Sequence, residues 1–410
     1  MIREANRDAV LTCLRRCGRA SRAELHRETG LTKPTISKIV EELLELGVLR
    51  EGGLTASVAG GGRPSRCIEL NASSAAYAGV ELDTDRTRVA VADYTGRLRH
   101  IHEGPAPTDD PAASLDYVAK VLRKTLRSLG VPWARLDAVG VTVPSLVDPA
   151  SGHCFLAPTL GWREVPLADE LAARLDAPVA VANVPQAAAL AESRWGAARC
   201  AQSFVWVFVG SGIGAGIVEG GRVFLGQRGL SGEFGHCRVV EDGEPCGCGK
   251  RGCLETVASL RAMADEWLVR CGRARPRKKA RTVEGVTAWQ RAVSAGEEHA
   301  LQSLRWGARH MGLGLSLLIN VLDPELVVLG GYATALGEPY LHAARASAID
   351  NALAPERVNV RLSTLGDDAA LWGALLTGVR RSARVSHDEL FAGVSGPLGA
   401  SQASACRPGG

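Results

Sequence analysis

The sequence contains no stretch of about 18 consecutive apolar residues, the length a helix needs to span a bilayer. Its first residues, MIREANRDAVL, lack the charged-then-apolar layout of a secretory leader. A membrane-spanning or exported protein is therefore not expected, and a cytoplasmic location is. Aromatic residues are scarce, at 5%, while Ala, Gly and Arg are abundant; the bias fits a GC-rich coding sequence and carries little physical meaning. Net charge is also small. At +4 over 410 residues it is too weak for bulk electrostatics to announce a polyanion binder, so any nucleic-acid site has to be local. A paired disulfide framework is missing as well. There are eleven cysteines, an odd number, and Cys13, Cys17, Cys67, Cys154, Cys200, Cys271 and Cys406 stand isolated. That pattern fits a reducing compartment, where thiols pack as small apolar groups. Hydrophobic residues are plentiful, 46% of the chain, enough to give two or three domains a core each.

The first fifty or so residues carry three helical patterns. The first is expected from about Asn6 to Cys17, with Val10, Leu11 and Leu14 at helical spacing, and stops at Gly18. The second opens at Ser21, whose hydroxyl can cap the helix while Glu24 reaches back to complete a capping box, and Gly30 ends it. The third opens at Thr32, accepts Pro34 in its first turn, and runs through Ile36, Ile39, Val40, Leu43 and Leu44. Two short strands, Val48-Leu49 and Cys67 to Leu70, bracket the glycine-rich Gly60 to Pro64 as a wing. A recognition helix must present small or polar residues to the major groove in its first turns. Thr32, Lys33, Thr35, Ser37 and Lys38 meet that need with the apolar residues on the opposite face, and Arg63 on the wing suits the minor groove. These six are the expected DNA contacts; a three-helix protein-interaction module is the alternative.

From Tyr77 onward strands alternate with helices, as in an α/β lobe. AGVELD, RVAVADYTG, a helix from Ser114 to Leu129 and AVGVTVPSLVD imply βββαβα units, and FVWVFVGSGIGAGIV opens a second series after a helix around Gln186 to Trp195. The expected division is a DNA-binding domain at 1–72, a first lobe at 75–185, a second lobe at 186–382 and a disordered tail at 383–410. The basic stretch 270–281 is expected to be a solvated surface insertion, with an auxiliary phosphate contact as the other possibility.

His236, Cys246, Cys248 and Cys253 supply one imidazole and three thiols in a short span, with glycines between them that let the backbone converge. Three thiolates and a nitrogen suit tetrahedral Zn²⁺, and with no position left open the site would be structural. It would pin Glu233, His236 and Glu255 close to one another.

These residues resemble the ROK family of sugar-responsive repressors and sugar kinases. Glu233-Phe234-Gly235-His236 resembles the family's sugar and zinc motif, and Cys246-Gly247-Cys248-Gly249 with Gly252-Cys253-Leu254-Glu255 its cysteine signature. Gly210 to Gly216 resembles a phosphate loop, although a glycine-rich turn also serves as a hairpin device. Asn320, Asp323-Pro324 and Gly330-Gly331 resemble the adenosine-side motif. The resemblance implies an α/β fold: an N-terminal winged helix-turn-helix followed by a two-lobed, actin-like (ribonuclease H-like ATPase-type) domain. It also implies a sugar or sugar derivative held by Asn183, Glu233, His236 and Glu255, operator DNA as partner, and a homodimer or homotetramer.

Two departures from the kinases of the family speak against catalysis. Those kinases have an Asn-Asp pair whose Asp takes the proton from the attacking hydroxyl; here the pair is Asn183-Val184. They also have Asp-x-Gly-Gly-Thr at the first phosphate loop, where this chain has Glu81-Leu82-Asp83-Thr84-Asp85, trading backbone access for side-chain bulk and negative charge. No catalytic residue is expected. Pro158-Thr159, where the family often has Pro-Asn, leaves the identity of the sugar open, and a residual kinase, a non-sugar effector and a zinc-stabilised scaffold are the competing readings.

Overall fold

The structure is a computed structural model that describes residues 2–54, 66–275 and 283–381. Arg63 with the rest of the expected wing Gly60 to Pro64, residues 276–281 of the basic stretch and the expected tail 383–410 lie outside the described residues. Contacts divide the chain into two compact units, one running up to Asn183 and resuming at Ala374, the other spanning Val184–Gly373.

The first unit begins with the winged helix: α1 (Ile2–Cys17), β1 (Arg19–Ala20), α2 (Arg22–Thr29), α3 (Lys33–Glu45), β2 (Leu49–Leu54) and β3 (Arg66–Leu70), with the three strands ordered β1-β3-β2. The local signals act as chemistry dictates. Ser21 and Glu24 form a complete capping box, Gly30 ends α2 in the left-handed conformation, and Thr32 caps α3 ahead of Pro34. Helix α1 starts four residues earlier than its periodicity suggests, and Arg3 in the added turn reaches Glu42 of α3 at 2.6 Å. Val10, Leu11, Leu14, Leu25, Ile36, Val40, Leu43 and Ile68 are almost wholly buried, each contributing about 1.5–3 kcal/mol by burial.

After a short link the same unit continues with β4 (Ala76–Leu82), β5 (Arg86–Asp93), β6 (Leu98–Pro105), α4 (Pro111–Ser128), β7 (Leu136–Val143), β8 (Leu146–Val147), β9 (Cys154–Ala157), β10 (Trp162–Val165), α5 (Leu167–Leu175) and β11 (Val179–Asn183). The main sheet has the order β11-β7-β4-β5-β6, and β10-β9-β8 form a small antiparallel sheet that the sequence patterning did not reveal. Strands β4 to β6 are an antiparallel meander, whereas β7 and β11 run parallel to β4 through crossovers.

The second unit has α6 (Val184–Trp195), β12 (Phe204–Val209), β13 (Ile213–Glu219), β14 (Arg222–Phe224), α7 (Glu255–Ala258), α8 (Leu260–Arg270), α9 (Val283–Ser294), α10 (Glu298–Leu322), β15 (Leu326–Gly331), α11 (Ala333–Asn351) and β16 (Val360–Leu362). Its sheet, β14-β13-β12-β15-β16, repeats the pattern of the first: three antiparallel strands, then two parallel ones. The core lies between this sheet and helices α8, α10 and α11, with Val205, Val207, Val209, Met263, Leu304, Met311, Leu315 and Tyr340 buried in it. The last helix, α12 (Ala369–Val379), starts in the second unit and ends in the first, where a Cβ on Gly140 of β7 would sit 1.8 Å from the Ala374 carbonyl. Only glycine allows that approach.

Candidate effector, metal and DNA sites

The second unit brings the metal-type residues together. Cys246 and Cys248 sit in a tight knuckle in which the Cys246 N–H donates to the Lys250 carbonyl at 2.7 Å and Gly249 takes a left-handed turn. Gly252, also left-handed, lies so close to the Val240 carbonyl that any side chain would collide with it, and this folds Cys253 back toward the knuckle. His236 comes from the turn after Glu233. The ligand atoms of His236, Cys246, Cys248 and Cys253 all lie within 4.8 Å of one another. Cys248 Sγ is 3.6 Å from Cys253 Sγ, and His236 Nδ1 is 3.5 Å from Cys246 Sγ. Zinc–sulfur bonds of about 2.3 Å in tetrahedral geometry set neighbouring thiolates roughly 3.8 Å apart, so the donor set fits the ion. Burial, together with the neighbouring thiols, pushes Cys253 up to about 12; an ion of charge +2 at the centre would reverse that and hold the thiols ionised. Cys237, exposed and directly after His236, is a further thiol beside the cluster that the sequence reading passed over; adjacency to a ligand was the available signal.

Because His236 turns Nδ1 to the cysteines, its other nitrogen faces away, and Nε2 lies 3.9 Å from a Glu233 carboxylate oxygen. Burial raises the Glu233 pKa, with His236 opposing and Glu255 adding to the rise. Glu255 opens α7, one carboxylate oxygen accepting from the Ile213 N–H at 3.3 Å and the other 3.9 Å from Cys246 Sγ. Three of the four expected effector residues, Glu233, His236 and Glu255, thus converge beside the cysteines. Asn183 is the final residue of β11 in the first unit, paired in register with Val143. A half-buried set of two carboxylates and an imidazole nitrogen provides forked acceptors and a donor for adjacent hydroxyls.

The glycine run 210–216 makes the hairpin turn 210–212 between β12 and β13, closed by Gly210 N–H to the Gly212 carbonyl at 3.0 Å, and the first residues of β13. Its later glycines serve packing. A Cβ on Gly214 would meet Pro185 Cγ at 2.9 Å, and one on Gly216 the Pro185 carbonyl at 2.1 Å. Val184 is buried in the first turn of α6 and offers no proton acceptor.

In the first lobe, the segment that replaces the glycine-type phosphate loop is a tight hairpin. Glu81 and Arg88 face each other across it in register, with Arg88 Nε 2.6 Å from a Glu81 oxygen and both side chains buried. Asp83 closes the turn, its N–H donating to the Arg86 carbonyl and its carboxylate accepting the Thr84 N–H at 2.7 Å. Asn320 of the adenosine-type motif instead accepts the Leu353 N–H at 2.9 Å, tying the end of α10 to that of α11.

At the DNA-type site, Lys33 and Lys38 are exposed on the first turns of α3, Ser37 is half-buried, and the hydroxyls of Thr32 and Thr35 bond each other at 2.8 Å. Ile36, Ile39 and Val40 point into the core. Among the described residues no helix is long and apolar enough to cross a membrane.

Comparison with known proteins agrees with this layout. Residues 77–378 match the ROK family and residues 9–53 the IclR helix-turn-helix domain. The chain is 27% identical over 393 residues to the xylose repressor of Caldicellulosiruptor bescii, and 27% identical over 394 residues to the N-acetylglucosamine repressor of Escherichia coli O6:H1. Each alignment covers 92% of this chain and 95% of the relative. Among solved structures, a ROK family transcriptional regulator, a homologue of the E. coli MLC protein, superposes with a TM-score of 0.74 at 24% identity, covering 96% of this chain and 98% of that one, a likeness of fold.

Proposed function

Since the chain belongs to the ROK family, we propose that it is a DNA-binding transcriptional repressor whose hold on its operator is set by a sugar or sugar derivative, and that it has no kinase activity. The observation that carries this reading is the pairing of a capped helix-turn-helix, α2 and α3, with a sugar-type site that lacks a catalytic base: Val184 stands buried where a carboxylate would be needed. Loss of a general base costs about 10² to 10⁴ in rate. The Glu81–Arg88 hairpin adds an independent defect, since it offers phosphate a carboxylate-rich turn without glycine N–H groups.

In this reading Thr32, Lys33, Thr35, Ser37, Lys38 and Arg63 meet DNA, and Asn183, Glu233, His236 and Glu255 hold the effector. His236 serves twice, with Nδ1 toward a structural zinc shared with Cys246, Cys248 and Cys253, and Nε2 toward the ligand. When bound, the ion would fix the imidazole's orientation and tautomer, so that Nε2 carries a proton to donate. A homodimer or homotetramer places recognition helices at half-sites about one helical turn apart or a multiple of it. Effector binding changes operator affinity only by the difference between its affinities for the two states of the protein. The sugars named for the relatives, xylose and N-acetylglucosamine, head the panel of candidates.

The test is selection of bound sequences from random duplex DNA at fixed salt, followed by titration of the selected operator complex with xylose, N-acetylglucosamine and glucose. A sequence preference of at least about 10³ over random DNA and release by one sugar are expected. Absence of sequence preference removes the repressor, and identical operator affinity with every sugar removes the sugar effector.

A further inference from the structure

The recognition helix is tied at its end to the first lobe. Gly47 follows the last residues of α3 in the left-handed conformation, and Asn71, in the link between β3 and β4, closes on that turn from two sides. Its backbone N–H donates to the Val48 carbonyl at 2.9 Å, and its Nδ2 donates to the Gly47 carbonyl at 2.8 Å. Its remaining side-chain oxygen accepts the Ser73 N–H at 3.2 Å. The link is held in turn by the lobe: Ala72 offers its carbonyl to the Tyr94 N–H at 3.2 Å, and Ser74 offers its own to Arg135 Nη1 at 3.1 Å.

Tyr94 makes a second connection. It lies in the turn between β5 and β6, which Asp93 organises by accepting from the N–H groups of Thr95 and Arg97 and facing Arg99 at 3.2 Å. The Tyr94 side chain is fully buried, and the guanidinium of Arg15, from α1, stands 5.6 Å from its ring centroid. Arg15 is itself 8% exposed, and its Nε and Nη2 have no hydrogen-bond acceptor among the described residues. A buried guanidinium with two donor nitrogens left unsatisfied is costly, and the negative face of the Tyr94 ring offsets part of that cost.

We propose that Asn71 and Tyr94 are positioning residues for DNA binding: Asn71 holds the end of the recognition helix, Tyr94 holds α1 through Arg15, and together they make the winged helix and the first lobe one body. The direction in which the recognition helix meets the groove is then fixed by the orientation of the lobe. This rests on the DNA-binding reading for its consequence, though the joint itself is testable without DNA.

The test compares Tyr94→Leu and Tyr94→Phe in the full-length, zinc-loaded chain. By hydrogen exchange in the absence of DNA, Tyr94→Leu raises exchange in α1 and in the turn at 46–48 by at least about tenfold, while β4, β5 and β7 keep wild-type protection. Tyr94→Phe, which retains the ring face, restores it. On the selected operator, moving the half-sites apart by about half a helical turn weakens wild type and Tyr94→Phe at least about tenfold, and weakens Tyr94→Leu less than about threefold, because the freed winged helix reorients. Unchanged exchange in α1 of Tyr94→Leu overturns the proposal, as does equal loss of protection in the lobe strands, or failure of Phe to rescue. If no sequence preference exists in DNA, the repressor reading fails while the exchange experiment still decides the joint.

Discussion

Replacing Arg88 with Met isolates what the hairpin at Glu81 to Asp85 does for the first lobe. The Glu81 and Arg88 side chains are 4% and 5% exposed, and the guanidinium meets one carboxylate oxygen through Nε at 2.6 Å and Nη2 at 2.5 Å. Burial pushes Glu81 up to about 7, with Arg88 pulling against it and Asp83 adding to the rise. Methionine keeps the packing of the stem and removes the cation, leaving a carboxylate in the core. At pH 8, where that carboxylate has to be ionised or take up a proton at cost, the loss is about 3–5 kcal/mol. Acid relieves it. A group whose folded pKa lies above its unfolded value of 4.5 binds protons more tightly when folded, so stability rises as pH falls through the window between the two values. Without Arg88 the folded value climbs further, and that window widens upward. Wild type already gains from acid in this way, so the penalty of the variant relative to wild type shrinks by only about 1–2 kcal/mol between pH 8 and pH 5.5. Urea unfolding of both proteins at the two pH values, with the slope m checked for constancy, measures it. A penalty below about 1 kcal/mol at pH 8, or the same penalty at both pH values, refutes the reasoning.

Further outcomes follow from the other sites. Cys253→Ala removes a wholly buried ligand-type thiol and should reduce bound zinc from about one per chain to a readily chelated trace, measured by elemental analysis, with a lower melting temperature. Lys33→Ala and Lys38→Ala should each weaken DNA binding on every sequence and reduce the salt slope of log K by about 1; a loss confined to one base position would reassign them. Glu233→Gln should weaken sugar-induced release of the operator while leaving operator affinity without sugar unchanged, in a binding assay with the sugar that releases wild type. Val184→Asp should yield no hexose phosphorylation in an ATP-coupled assay, because a restored base does not restore the loop at Glu81 to Asp85.

What was legible in the sequence was what a few neighbouring residues determine. Ser21 with Glu24, Gly30, and Thr32 with Pro34 fix helix ends through contacts within one turn, so α2 and α3 fall where those residues put them. The cysteine knuckle was legible for the same reason: spacing and glycines decide it locally. What was not legible depends on pairing across distance. The early start of α1 is met by Arg3 reaching Glu42, far along the chain. The sheet of β8, β9 and β10 arises from pairing of short strands around Gly161, with Trp162 buried, and such short strands have no clear period of their own. The Glu81–Arg88 pair requires the hairpin register to be known, although opposite charges flanking a tight turn were visible as a hint. Gly214 and Gly216 were visible as part of a phosphate-type motif, and only the structure shows them admitting Pro185 of α6.

The residues that position the sugar-type site and those that would perform phosphate transfer are physically separable in this fold. Glu233, His236 and Glu255 are held by close backbone packing: a side chain at Gly232 would strike the Ala215 carbonyl, one at Gly235 the Ile213 carbonyl, and one at Gly252 the Val240 carbonyl, all at 2.3 Å or less. Contacts that short cannot be accommodated without moving backbone, so the turn bearing Glu233 and His236 and the knuckle bearing Cys253 are tied to the fold itself. Val184 and the Glu81–Arg88 hairpin carry no such constraint, since an apolar residue in the first turn of α6 and a cross-strand ion pair each satisfy their surroundings without reference to a nucleotide. The groups that would move a proton or cradle a phosphate can therefore vary without disturbing the turn that bears Glu233 and His236 or the knuckle that bears Cys253, because only the latter are fixed by backbone contact.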